Sequence, residues 1–103
     1  MSVSKRMVGG ILGGVLFLSA FGAYAFAGQQ MAGEAKISIE QARSTVLRVY
    51  PGKITDQELE KEKGGSGLRY SFVIRNGHVS HEVGIDALTG AILENSLEGD
   101  HAD

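Results

Sequence analysis

The chain has 103 residues, no cysteine, and 10 Lys plus Arg against 12 Asp plus Glu, with hydrophobic residues making up 43%. That length allows one domain, and the missing cysteine excludes disulfides, a cysteine nucleophile and lipid attachment at a modified cysteine. The acidic balance argues against a nucleic-acid partner.

Lys5 and Arg6 precede a run of 21 uncharged residues, 7–27, whose apolar centre is Ile11, Leu12, Val15, Leu16, Phe17 and Leu18. This layout predicts a signal peptide over residues 1–27. Ala23-Tyr24-Ala25 and Ala25-Phe26-Ala27 both offer small residues to a signal peptidase, so cleavage is expected after Ala25 or, preferably, after Ala27. The rival reading is a retained membrane anchor, because the uncharged run is long enough to span roughly 30 Å of hydrocarbon. Gly9, Gly10, Gly13, Gly14 and Gly22 weaken such a helix, and the paired cleavage sites favour removal. The expected location is periplasmic or secreted, with the membrane involved only through an uncleaved leader.

Cleavage after Ala27 leaves 76 residues with eight Lys plus Arg against twelve Asp plus Glu, a net charge near −4. A chain of that size buries only roughly 60 to 65% of its unfolded surface, which leaves little room for an enclosed active site. Residues 28–36 are short, small and polar and read as a flexible lead-in.

The folded part is expected over residues 37–95. Ser38 and Gln41 have capping-box spacing, and Ile39, Ala42, Val46 and Val49 recur at helical steps, with Glu40, Arg43 and Arg48 on the wet side. Pro51-Gly52 stops that helix. Residues 53–63 read as an extended, highly charged edge strand, and the odd separation of Ile54 and Leu59 calls for a bulge. Gly64-Gly65-Ser66-Gly67 is a loop.

Asn76-Gly77 between two alternating runs predicts a two-residue hairpin turn, with Arg75 facing His78, Ile74 facing Val79 and Phe72 facing His81. Leu68, Tyr70, Phe72, Ile74, Val83 and Ile85 then share a core face. Arg69, Ser71, Arg75, Ser80, Glu82 and Asp86 take the other, which is expected to be solvated, Val73 excepted. Asp86-Ala87-Leu88-Thr89-Gly90 reads as a turn, residues 91–94 as a last strand, and residues 96–103 as a polar tail. The sum is an α+β domain: one amphipathic helix packed on a three- to four-stranded antiparallel sheet, with Val49 and Leu93 also in the core.

The strongest candidates for chemistry are His78, His81 and Glu82, with His101 and Asp103 as further possible metal ligands. Strand alternation sends His81 to the apolar side and His78 with Glu82 to the other, so a convergent metal site is not expected and no cofactor is implied. Ser66 lacks the strand-turn-helix setting of a nucleophile elbow, and Glu58 and Glu60 on an exposed edge suit solvation better than acid–base work. Tyr70 and Phe72 read as core.

The order of helix, Pro51-Gly52-Lys53-Ile54, Leu59-Glu60, Leu68-Arg69-Tyr70-Ser71-Phe72, and the run from Glu82 through Asp86-Ala87-Leu88-Thr89-Gly90 to Leu93 resembles the PepSY domain family over residues 37–93. Pro51, Gly52, Tyr70, Asn76, Gly77, Asp86, Thr89 and Gly90 serve as its structural signature here. Gly84 stands where the family commonly has a bulkier residue. The resemblance implies a non-catalytic exported domain that regulates or inhibits a secreted or membrane-bound peptidase. The solvated face or the edge strand 54–62 is the expected docking surface, and the exposed edges allow a monomer or a weak dimer. The alternative is a periplasmic small-ligand or metal sensor using the hairpin histidines.

Overall fold

The computed structural model describes residues 25–98; most of the expected signal peptide, with the last residues of the expected tail, lies outside them. Helix α1, Ile39–Val49, begins as its sequence dictates. The Ser38 hydroxyl accepts from the Gln41 N–H at 3.1 Å, and the Gln41 side chain accepts from the Ser38 N–H at 2.8 Å, so two orphan donors are satisfied reciprocally. Glu40 lies in the first turn and Arg48 in the last, each complementing the helix dipole. Ile39, Ala42 and Val46 form the buried stripe, and Tyr50 leaves the helix in an extended conformation ahead of Pro51. Replacing Ser38 by Ala removes one half of this box. Urea unfolding should then show a loss of about 1 kcal/mol with an unchanged slope.

Four strands follow: β1 (Lys53–Lys61), β2 (Leu68–Asn76), β3 (Val79–Asp86) and β4 (Ile92–Leu97), all antiparallel and ordered as they occur in the chain. One helix on a four-stranded meander is the expected α+β architecture. The bulge demanded by Ile54 and Leu59 is present. Ile54 pairs with Ile74 and Asp56 with Val73, leaving Thr55 as the extra residue, so Ile54 and Leu59 both reach the helix-facing side.

The β2–β3 turn sits one residue later than the spacing suggested. Asn76 pairs with Val79, Arg75 with Ser80 and Ile74 with His81, and Gly77-His78 are the central pair. Asn76 is held in the ladder because its side-chain amide donates to the Pro51 carbonyl at 2.8 Å, and Gly77 takes the positive φ of 68°. The slide changes both partners together, which preserves the faces. Tyr70, Phe72 and Ile74 still share a side with Ile85, Val83 and His81.

The core joins Ile39, Ala42 and Val46 to Leu59, Leu68, Tyr70, Phe72, Ile74, Val83, Ile85 and Ala87. Val49 and Leu93, expected inside, are only half-buried; Leu59 and Ala87 take their share. Tyr70 is kept inside by donating its hydroxyl to the Ile37 carbonyl at 2.9 Å, so the buried phenol is satisfied.

Residues 28–36 do not simply trail. Gln29–Glu34 form a 3-10 helix against β1, and Ala27 makes a parallel bridge to Glu58, its carbonyl accepting from the Leu59 N–H at 2.8 Å. Phe26 lies edge-on to Tyr70 with ring centroids 6.2 Å apart. β4 continues to Leu97, past the expected start of the tail.

Candidate protein-binding surface

His101 and Asp103 lie outside the described residues; the other residues singled out for chemistry prove to be spatially separate or structurally engaged. His78 is exposed in the hairpin turn. His81 faces the helix side and stacks on Tyr50, with centroids 4.1 Å apart and planes 13° apart, while Glu82 lies on the opposite face with 3% exposure. Among the described residues no three His, Asp or Glu side chains gather as a metal site would require. Ser66 is a structural partner of Asp86, giving that carboxylate both its N–H and its hydroxyl. A groove of about 420 Å³ beside the start of α1 is lined by Phe26, Ile37, Gln41 and Tyr70 among others, and the Ser38 hydroxyl at its wall is already committed to the helix cap.

The signature residues work as a set of fasteners. Asp86 accepts from the Ser66 N–H (2.6 Å), the Ser66 hydroxyl (2.8 Å), the Leu88 N–H (2.8 Å) and the Thr89 N–H (3.1 Å), tying the Gly-rich loop before β2 to the turn after β3. Burial raises its pKa, but the hydrogen bonds from Ser66, Leu88 and Thr89 outweigh it and bring the carboxyl from 3.8 down to about 2. Thr89 closes the turn by accepting from the Ala91 N–H at 3.1 Å, and the Gly90 N–H donates to the Asp86 carbonyl at 2.8 Å.

The face opposite the helix is only in part the solvated surface its composition suggested: Arg75 is exposed and Ser80 half-buried, but the rest is not. Ser71 is 0% exposed, and Arg69, Val73, Glu82, Glu58 and Asp86 are buried as well. Polar side chains pair across the strands instead of standing into water: the Ser71 hydroxyl donates to Glu60 at 2.8 Å, and Arg69 meets Glu94 at 3.1 Å and the Lys63 carbonyl at 3.3 Å. Gly84 makes the second pairing possible. It lies between Ser71 on β2 and Glu94 on β4, and a Cβ there would sit 3.2 Å from Arg69 Nη1 and 3.3 Å from its Cδ. Arg69 therefore crosses β3 through the space that the glycine leaves.

The two outer strands differ. β1, the edge expected to dock, is bulged at Thr55, heavily charged, and covered near Leu59 by Ala27. β4 pairs only with β3 among the described residues. The Glu98 N–H donates inward to the Ser80 carbonyl at 2.8 Å; by antiparallel alternation the backbone groups of Leu97 and Asn95 point outward. Leu97 and Ile92 are 49% and 46% exposed. The short apolar-polar pattern of residues 91–97 carried no cue that this edge, and not the charged one, would be left open.

A single helix on a four-stranded antiparallel sheet with one open edge, its polar residues spent on fastening the fold, defines a small α+β domain. The model of the PepSY family, described as "Peptidase propeptide and YPEB domain", matches residues 36–95, and the chain belongs to that family. Its domains are typically non-catalytic propeptide or regulatory units, which is consistent with peptidase regulation. No curated protein and no solved structure matches the chain.

Proposed function

We propose that this protein is exported, catalyses no reaction of its own, and restrains an extracytoplasmic peptidase by presenting the outer edge of β4 to an extended segment of that enzyme. The observation that carries the reading is the contrast between the two sheet edges: β1 is blunted, whereas β4 turns the backbone groups of Asn95 and Leu97 outward beside exposed Leu97 and Ile92. Strand addition supplies affinity through main-chain hydrogen bonds and selectivity through alternate side chains. Exposed Leu97 favours a segment that places an apolar residue against it.

Added to the peptidases of the producing cell's exported fraction, the protein should lower the activity of at least one of them. Asn95→Pro removes an outward donor without touching the β3–β4 ladder and should weaken that inhibition about tenfold while leaving the melting temperature nearly unchanged. Full peptidase activity at saturating protein concentration would remove the proposal. Full inhibition by a folded Asn95→Pro variant would move the contact away from β4.

A further inference from the structure

The two small-residue signals, Ala23-Tyr24-Ala25 and Ala25-Phe26-Ala27, allow cleavage at either of two bonds, and the fold distinguishes between them. We infer that the signal peptidase cuts after Ala25, so that the mature chain begins at Phe26. This rests on the export reading above and adds the bond that is broken.

The folded unit already includes both residues that a cut after Ala27 would discard. Phe26 packs against the core, edge-on to Tyr70, a side chain that is itself only 1% exposed. Ala27 supplies the carbonyl that receives the Leu59 N–H in the middle of β1, and so covers that stretch of the strand's outer edge. The Phe26 carbonyl accepts from the Gln29 N–H at 3.1 Å, and this bond sets the entry into the 3-10 helix Gln29–Glu34. A mature chain beginning at Gly28 loses all three contacts at once and uncovers the β1 edge.

A cut after Ala25 keeps them and strengthens a fourth. The side-chain oxygen of Gln29 already faces the Phe26 nitrogen at 3.4 Å. Hydrolysis of the Ala25–Phe26 peptide bond adds water across it, leaving a carboxylate on Ala25 in the leader and an ammonium on Phe26. Gln29 then accepts from a charged donor, a stronger partner than the amide it replaces. Signal peptidase acts before the domain folds, so the fold does not direct the enzyme; it reveals which product is a complete domain.

Intact mass spectrometry of the protein recovered from the exported fraction reads the answer directly. The expected N-terminus is Phe26. Ala27→Leu, which spoils only the later site and alters an exposed side chain, should leave the N-terminus at Phe26. Ala23→Leu, which spoils only the earlier site, should shift the N-terminus or block processing, and any Gly28-initiated product should melt lower by about 5 °C or more and exchange its Leu59 amide at least about tenfold faster. A wild-type product starting at Gly28 overturns the inference and leaves export standing. A chain exported with its leader attached overturns the inference together with the cleaved-leader form of export. Equal melting temperatures for the two products would remove its physical basis.

Discussion

Asp86→Ala should be among the most damaging single substitutions in this domain, lowering its stability by about 3 kcal/mol and its melting temperature by about 15 °C. Four donors converge on this carboxylate, and all four lose their acceptor together. Asp86 is buried, and without its carboxylate the Gly-rich loop separates from the β3–β4 turn, a loss that water at exposed Ser66 and Thr89 offsets only in part. Asp86→Asn should be intermediate. Its one oxygen can still serve the donors on Oδ1, but its amide nitrogen confronts the Ser66 N–H.

Acid should produce part of that loss in the unaltered protein. The folded Asp86 carboxyl titrates near 2 and the unfolded one near its ordinary 3.8, so the unfolded chain takes up protons first as pH falls. The contribution is fully present above about pH 4 and disappears on the way to about pH 2. Its ceiling is about 2 kcal/mol, and screening at the end of the sheet reduces it further. Denaturant midpoints measured between those pH values should fall for the wild type and be flatter for Asp86→Asn. Parallel curves would mean that the carboxylate is not the titrating fastener.

Gly84→Val should destabilise, by about 2 to 3 kcal/mol, and here the sign decides the matter. A valine in place of glycine within a strand ordinarily strengthens it, because glycine gives up more backbone freedom and packs nothing. At this position the new side chain meets Arg69, which spans β3 to reach Glu94 and is 8% exposed in its side chain. Displacing the guanidinium leaves a buried charge without its carboxylate. In a double-mutant cycle, Arg69→Ala should cancel much of the Gly84→Val penalty, since the obstruction and the obstructed group are then both gone. Increased stability in the single variant, or strict additivity in the cycle, would contradict the crossing arginine.

Much of the scaffold was legible from local chemistry. The Ser38–Gln41 box, the stripe of Ile39, Ala42 and Val46, and the stop at Pro51 depend on contacts a few residues apart, so the helix needed no knowledge of the rest. Alternation placed Tyr70, Phe72, Ile74, Val83 and Ile85 on one face, and the odd spacing of Ile54 and Leu59 announced the bulge. The hairpin slipped by one residue at each partner because Asn76-Gly77 is ambiguous as to which residue opens the turn. A hydrogen bond to Pro51, 25 positions away, resolves it.

The surface was much less readable. Whether a polar residue on a strand stands in water or lies across its neighbours depends on what its cross-strand partners are. Arg69, Gly84 and Glu94 become one feature only when β2, β3 and β4 are side by side. The charged strand looked like the docking edge because charge density is visible along the chain, while its covering by Ala27 is not.

By itself, then, the amino-acid order determined the helix, the strands, their inward faces and the membership of the PepSY family, because periodicity, capping and turn chemistry act over short separations. Only the folded chain decided which sheet edge stays open, how the polar face satisfies itself and how far toward the N-terminus the domain extends. Those outcomes rest on contacts such as Ala27 with Leu59 and Arg69 with Glu94, between residues that nothing in the local sequence brings together.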